Sequence, residues 1–146
     1  MAGTPRMRLF LLALLSGCGQ NTLGLSDEEL PPDTNFPLTI AASAPRIDAG
    51  AISQFQVENA SEIELGFNLC VSGALERYTS GGWKLLAHPH YPCPMLLQIL
   101  GAGATTTLVY TIPDDAPPGL YRFRVSFTAL VGSESIVRRS DPFVVH

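Results

Sequence analysis

Residues 118–129 read PGLYRFRVSFTA and contain the clearest strand signal in the chain. Apolar residues alternate with polar or charged ones. The apolar set is Tyr121, Phe123, Val125, Phe127 and Ala129, and the polar set is Arg122, Arg124, Ser126 and Thr128. A period of two places each set on one face of a strand. The stretch therefore predicts a β-strand with one buried and one wetter face, opened by a Pro-Gly turn.

The same pattern recurs on both sides of this strand, between turn signals. Further strands are predicted at 37–41, 52–57, 63–71, 74–78, 83–86, 104–112 and 143–145. The Gly81-Gly82 pair separates two of these strands and indicates a hairpin. No window has a convincing helical period. About seven short strands over roughly 110 residues predict an all-β fold, an immunoglobulin-like β-sandwich covering residues 37–146.

Several turn and core motifs of this region resemble bacterial immunoglobulin-like domains of cell-envelope lipoproteins. They lie at 57–61, at 75–77 with 81–83, at 118–122 and at 140–145. The resemblance implies that Trp83 and Tyr121 are core residues. It also implies a binding or spacer module and brings no catalytic activity with it.

The N-terminus has the three parts of a secretory signal. Arg6 and Arg8 are followed by the apolar run 9–15 and then by Ser16 and Gly17. Seven apolar residues make about 10 Å of helix, against about 30 Å of bilayer hydrocarbon, so the run is too short to span a membrane. Residues 1–17 are therefore predicted to be a signal peptide.

Residues 15–18, Leu-Ser-Gly-Cys, resemble the lipobox of bacterial lipoproteins. The resemblance implies that Cys18 receives a diacylglyceryl group and becomes the first residue of the mature protein. Several acyl chains on one residue anchor a protein stably to a membrane. Residue 19 is Gly and not Asp, which in a Gram-negative cell would favour the outer membrane. An ordinary secretory signal with an incidental cysteine is the alternative.

Residues 18–36 form a predicted tether, rich in acidic residues and proline and without a strand or helix period. All 13 acidic residues follow Cys18, whereas two of the nine basic residues precede it, so the mature chain has seven positive and 13 negative charges. A net negative chain has no general attraction to nucleic acid, and no nucleic-acid partner is expected.

Two cysteines remain once Cys18 is assigned to the lipid. In an oxidising cell envelope, Cys70 and Cys93 are predicted to form a disulfide. It would tie the end of the 63–71 strand to the Pro-rich segment after Trp83. Both cysteines flank the hairpin, which differs from the antibody pattern.

The segment 88–93, HPHYPC, is the most ligand-rich stretch of the sequence. His88 and His90 would point to the same side of an extended segment and could bind zinc or copper. Use of Cys93 in a disulfide leaves no clear third ligand, so neither a metal nor a cofactor is expected.

Catalysis finds little support, because the serines lie in turn-like settings without a nucleophile elbow. The leading hypothesis is a non-enzymatic, lipid-anchored envelope protein whose domain contacts another envelope protein or gives structural support. One alternative is a ligand- or metal-binding module using the 88–93 loop. Another is a protease inhibitor acting through the Pro-rich loops at 87–94 and 113–118.

Overall fold

A computed structural model describes residues 35–86 and 92–146. The predicted signal peptide, Cys18 and nearly all of the predicted tether lie outside these residues, as do His88 and His90. Within them, no helix has the length and apolar composition needed to cross a bilayer.

The described chain folds into two β-sheets. The elements are β1 (Leu38–Ala42), β2 (Arg46–Ile47), β3 (Ile52–Asn59), β4 (Leu65–Phe67), α1 (Leu69–Ser72), β5 (Gly73–Thr79), β6 (Gly82–Leu85), β7 (Gln98–Leu100), β8 (Thr105–Thr111), β9 (Gly119–Ala129), β10 (Ser135–Arg139) and β11 (Phe143–Val145). The smaller sheet has the order β1-β3-β8, and the larger sheet contains the other strands around β9.

The eleven strands occupy seven positions, because several strands are interrupted. On one side β9 pairs with β4 and β5, and on the other with β10 and β11. β6 and β7 lie together on the far side of the β4–β5 position. β2 pairs with β11, so the first strand position is shared between the two sheets as β1 and β2. This confirms the predicted immunoglobulin-like sandwich.

The core lies between the sheets and is formed by the inward residues of the alternating strands. Tyr121, Phe123, Val125, Phe127 and Ala129 are all buried, as their spacing predicted. The Phe123 ring stacks on Phe55 of β3 with 4.3 Å between ring centroids. In antibody domains a disulfide joins the two sheets between these strand positions. Here the aromatic stack occupies that place.

Tyr121 lies two residues before Phe123, at the start of β9, and its ring is fully buried. The hydroxyl donates a hydrogen bond of 2.6 Å to the Pro117 carbonyl oxygen. This is the tyrosine corner typical of immunoglobulin-like domains. Burial raises the pKa of the Tyr121 phenol above 10.0, and the nearby Arg77 charge partly lowers it.

The turn after β3 is held by a buried asparagine. The Asn59 side-chain amide donates to the Ile63 and Gly101 carbonyl oxygens at 2.8 and 2.9 Å, and its oxygen accepts from the Ser61 backbone N–H. Asn59 is fully buried. The polar turn signal at 58–61 thus marks an internal network that ties two loops together.

The strand predicted over 63–71 is wrong in its second half. It ends at Phe67, and Cys70 lies on the one-turn helix α1. The Asn68 side chain caps this helix by accepting from the Cys70 N–H at 3.2 Å, and the Ser72 hydroxyl donates to the Asn68 carbonyl oxygen. These local hydrogen bonds compete with the strand ladder and replace it.

Candidate functional site

The outer face of the larger sheet carries the most notable group of charged side chains. It is formed by the residues of β9 that alternate with the core set, and by their neighbours across the strand pairs. In the register, Arg122 lies opposite Glu76, and Arg124 lies between Ala74 and Arg139. The polar half of the PGLYRFRVSFTA stretch is therefore the centre of this face.

Three arginines surround one carboxylate on this face. Glu76 lies 2.5 Å from Arg122 Nε, 3.1 Å from Arg139 Nε and 3.8 Å from Arg124 Nε. The Glu76 side chain is 9% exposed, and that of Arg124 is 31% exposed. These four residues, named the arginine cluster here, hold three positive charges and one negative.

The arginine cluster concentrates positive charge within a domain that carries a net negative charge. Residues 37–146 contain seven basic and nine acidic residues, and three of the seven basic ones belong to the cluster. Electrostatic potential depends on such local arrangement as well as on net charge. An acidic domain thus presents one locally basic surface.

Trp83 borders the arginine cluster and is not a core residue. The resemblance implied a buried position, but Trp83 is half-buried, because it lies opposite Tyr78 at the edge hairpin β5–β6, where both side chains point outward. The Arg122 guanidinium lies over the Trp83 ring, 4.2 Å from the centroid. The Tyr78 and Trp83 rings meet nearly edge-on at 5.3 Å.

This packing orders the exposed face in advance of any binding. Arg122 is held between the Glu76 carboxylate and the indole of Trp83, an arrangement that combines an ion pair with a cation–π contact. Tyr78 and Leu85, which lies opposite Glu76, remain more than half exposed. The result is a surface on which aromatic, aliphatic and arginine side chains lie next to one another.

A second group of exposed apolar side chains lies at the β4–β7 end of the same face. Gly66 has no side chain there, and a Cβ at that position would lie 3.0 Å from both Leu97 and Leu130. Ile99, opposite Gly66, is 58% exposed.

The Cys70–Cys93 disulfide is present, as the sequence predicted, with a Cα–Cα distance of 5.6 Å. It joins α1 to the segment before β7, and the Asn68 side-chain amide reinforces this link through a hydrogen bond to the Pro94 carbonyl oxygen. The bond uses the Cys93 sulfur, the third potential ligand of the 88–93 loop. Within residues 35–86 and 92–146, His, Cys, Asp and Glu side chains form no group of three suited to a metal.

The loop 113–118, one of the two proposed inhibitory loops, is bound to the body of the domain. Its Pro117 carbonyl accepts from Tyr121, and its Pro118 carbonyl accepts from Arg77 at 2.9 Å. Ala116 is buried. These contacts hold the loop against the domain at the tyrosine corner.

Sequence reasoning placed Arg122 and Arg124 on an outer strand face but missed Glu76, Arg139 and the position of Trp83. These residues meet only through the register of β5, β6 and β10 with β9. Alternation in each strand indicates which face a residue occupies. It does not indicate which residue lies opposite.

Comparison with known proteins finds distant similarity to solved structures. No family model and no curated protein matches this chain. Similar solved structures include the Salmonella enterica SafA pilin–SafB chaperone complex, at 16% identity over 76% of this chain and 54% of that chain, with a TM-score of 0.46. They also include the sporulation control protein Spo0M of Bacillus subtilis, at 13% identity over 75% and 48%, with a TM-score of 0.44. A third is the PapD-like domain of human CEP192, at 14% identity over 97% and 94%, with a TM-score of 0.36. The chain spans about half of the first two structures.

Proposed function

We propose that this chain is a lipid-anchored protein of the bacterial cell envelope whose immunoglobulin-like domain binds another envelope protein. The contact surface is the outer face of the larger sheet, centred on the arginine cluster and Trp83. The domain acts by binding and carries out no chemical step. The anchor is the lipid on Cys18, and residues 18–36 connect it to the domain.

The observation that carries this proposal is the packing of Arg122 between Glu76 and Trp83 on an exposed sheet face. Tryptophan, tyrosine and arginine are the residues most enriched where protein partners contribute binding energy. Side chains that are already fixed lose little conformational entropy when a partner binds. A rigid aromatic and arginine surface therefore favours a protein partner over a small ligand.

The charge of this surface indicates the chemistry of the partner. With three arginines around one carboxylate, the face is best complemented by one or more carboxylates beside an apolar or aromatic group. Charged groups at the edge of an interface chiefly accelerate association and make it sensitive to salt. The partner is therefore a protein with an acidic patch.

Quantitative cross-linking in intact cells tests this proposal. A photoreactive amino acid in place of Leu85 labels whatever lies over the outer face, and mass spectrometry identifies the adduct. Arg124→Glu adds repulsion while retaining the fold, because Arg124 is the most exposed of the three arginines. We expect the adduct yield to fall at least tenfold, equivalent to about 1.4 kcal/mol of binding free energy.

The matched control is Gln56→Glu, which adds a negative charge to an exposed position on the smaller sheet. This variant should cross-link as the wild type does. Equal adduct yields in the wild type and Arg124→Glu, or a dominant adduct that is not a protein, would overturn the proposal.

A further inference from the structure

The strand edges of the two sheets differ in how they are protected. Natural β-proteins block exposed edges with short strands, prolines, charges or covering groups. In the described part of the larger sheet the edge strands have two to five residues: β2 and β10 on one side, β6 and β7 on the other. Each of them is shorter than the seven-residue β8 of the smaller sheet.

In the smaller sheet, one edge is covered and the other is open. The Arg138 guanidinium donates to the Leu38 and Phe36 carbonyl oxygens at 3.0 and 2.6 Å and so occupies the edge at β1. The opposite edge is β8, whose seven residues, TTTLVYT, contain no charge, proline or glycine. No other strand of the described chain pairs with the outer side of β8.

The register shows which backbone groups of β8 face outward. Ile112 donates to the Ala51 carbonyl oxygen, and Asn59 donates to that of Ala104, so even-numbered residues direct their N–H and C=O groups toward β3. In an antiparallel ladder the alternate residues direct theirs away. Thr105, Thr107, Val109 and Thr111 are therefore the residues that offer backbone donors and acceptors at the open edge.

We propose that β8 is a dimerisation edge, which pairs antiparallel with β8 of a second copy of this chain about a twofold axis at Leu108. In this register Thr107 lies opposite Val109 of the second copy, and Thr105 lies opposite Thr111. All four outward-directed residues of each strand are then paired, giving about eight interchain hydrogen bonds. The two smaller sheets become one continuous six-stranded sheet.

A second copy is favoured over an unrelated strand because the edge is self-complementary. The twofold register places its uncharged residues opposite one another, and the cross-strand pair of Thr105 with Thr111 of the second copy is of a stabilising kind. The one charged residue of β3, Glu58, lies beside Thr105. In the dimer, Thr105 lies opposite Thr111 of the second copy, and Thr111 lies beside Ile52. The cross-strand row that begins at Glu58 therefore ends at Ile52 of the second copy, and the two Glu58 side chains lie in different rows. No like charges oppose the pairing.

Cysteine cross-linking of the full chain in the membranes of cells that produce it tests this register. Thr107→Cys places two thiols diagonally across the new strand pair, where residues lie about 7–8 Å apart. A bismaleimide of matching length should join two chains. Gln56→Cys is the matched control on the same outer surface, since the two copies of residue 56 would lie about 16 Å apart.

A second substitution tests the role of the backbone. Val109→Pro removes an outward N–H that no hydrogen bond of the described residues uses. In the Thr107→Cys background it should therefore lower the dimer adduct at least tenfold. Val109→Thr keeps the N–H and should retain the adduct. Val109→Lys brings two like charges near the axis and should lower the adduct even if the proline variant folds poorly.

Three results would overturn this proposal. They are equal adducts at positions 56 and 107, a dimer adduct that survives both Val109→Pro and Val109→Lys, and an adduct of Thr107→Cys with a different protein. The last would assign β8 to the strand of another partner. None of these outcomes depends on the arginine cluster, so failure here is distinct from failure of the proposed function.

Discussion

Tyr121 is the residue that links the alternation of β9 to the loop before it. Its ring belongs to the core set that the sequence predicted, whereas its hydroxyl reaches back to Pro117. The alternation could reveal the first of these roles, because burial follows from spacing along the strand. The second depends on the path of the loop 113–118 and became visible only in the structure.

Tyr121→Phe tests this corner at two pH values. At about pH 7 the phenol is protonated in the folded and unfolded states, and loss of its hydrogen bond should lower the free energy of unfolding by about 1–2 kcal/mol. Burial raises the pKa of Tyr121 in the folded state. As pH rises above 10.0, the unfolded chain loses this proton first, so the wild type should lose stability that Tyr121→Phe does not.

Urea unfolding of the full chain, followed by fluorescence of its single tryptophan, measures both effects. The difference in free energy of unfolding between the wild type and Tyr121→Phe should become smaller between about pH 7 and about pH 11. A constant gap across this range would show that ionisation of Tyr121 is not linked to folding.

At the scale of elements, β9 was predictable and its neighbours were predictable only in part. β9 is continuous, so its period of two is unbroken over eleven residues. The adjacent strand position, formed by β4 and β5, is interrupted. Eight residues separate Leu65 from Gly73, but their partners on β9, Ala129 and Val125, are only four residues apart. Four residues are therefore inserted between the two strands. The insertion is even in number, which keeps Phe67 and Leu75 on the same inner face and hides the break from a pattern analysis.

The short strands β2, β7 and β10 escaped sequence analysis for a related reason. They have two, three and five residues, and each depends on a longer neighbour for its hydrogen bonds. Arg138 is buried within β10 against the Leu38 carbonyl oxygen of β1, where an apolar residue would be expected from alternation. The position of Arg139 in the candidate site was missed together with its strand.

The disulfide fastens the inserted helix α1, and its removal tests how much that element contributes. On the chain-entropy account, Cys70→Ser with Cys93→Ser should lower the free energy of unfolding by about 3 kcal/mol. The domain should remain folded, because neither cysteine is among the buried residues that form the core between the sheets. Urea unfolding of the double variant and of the chemically reduced wild type should give matching midpoints, and an unchanged midpoint in both would contradict the prediction.

At the scale of the whole molecule, the sequence is informative about parts that the structure does not describe. The pattern of Arg6, Arg8, the apolar run and the 15–18 motif predicts export and lipidation from local chemistry alone. The tertiary fold is not required for that prediction. Conversely, the proposed partner surface depends on the meeting of four strands, β5, β6, β9 and β10, and has no local signature.

Metabolic labelling with a fatty acid tests the predicted anchor. The full chain should incorporate the label, and Cys18→Ser should lose it, because the diacylglyceryl group that carries the labelled fatty acids is attached to the Cys18 sulfur. Cys70→Ser with Cys93→Ser serves as the control and should retain the label. Label in Cys18→Ser, or its absence from the wild type, would contradict the lipoprotein assignment.

The stack of Phe55 on Phe123 has a consequence for the order in which the protein matures. Because the join between the sheets is aromatic, its formation needs neither an oxidant nor a thiol-exchange catalyst. Among the described residues, the redox state of the compartment acts on the corner where Cys70 meets Cys93. Folding of the sandwich and formation of the disulfide are therefore separable events, and the disulfide can form after the sandwich has folded.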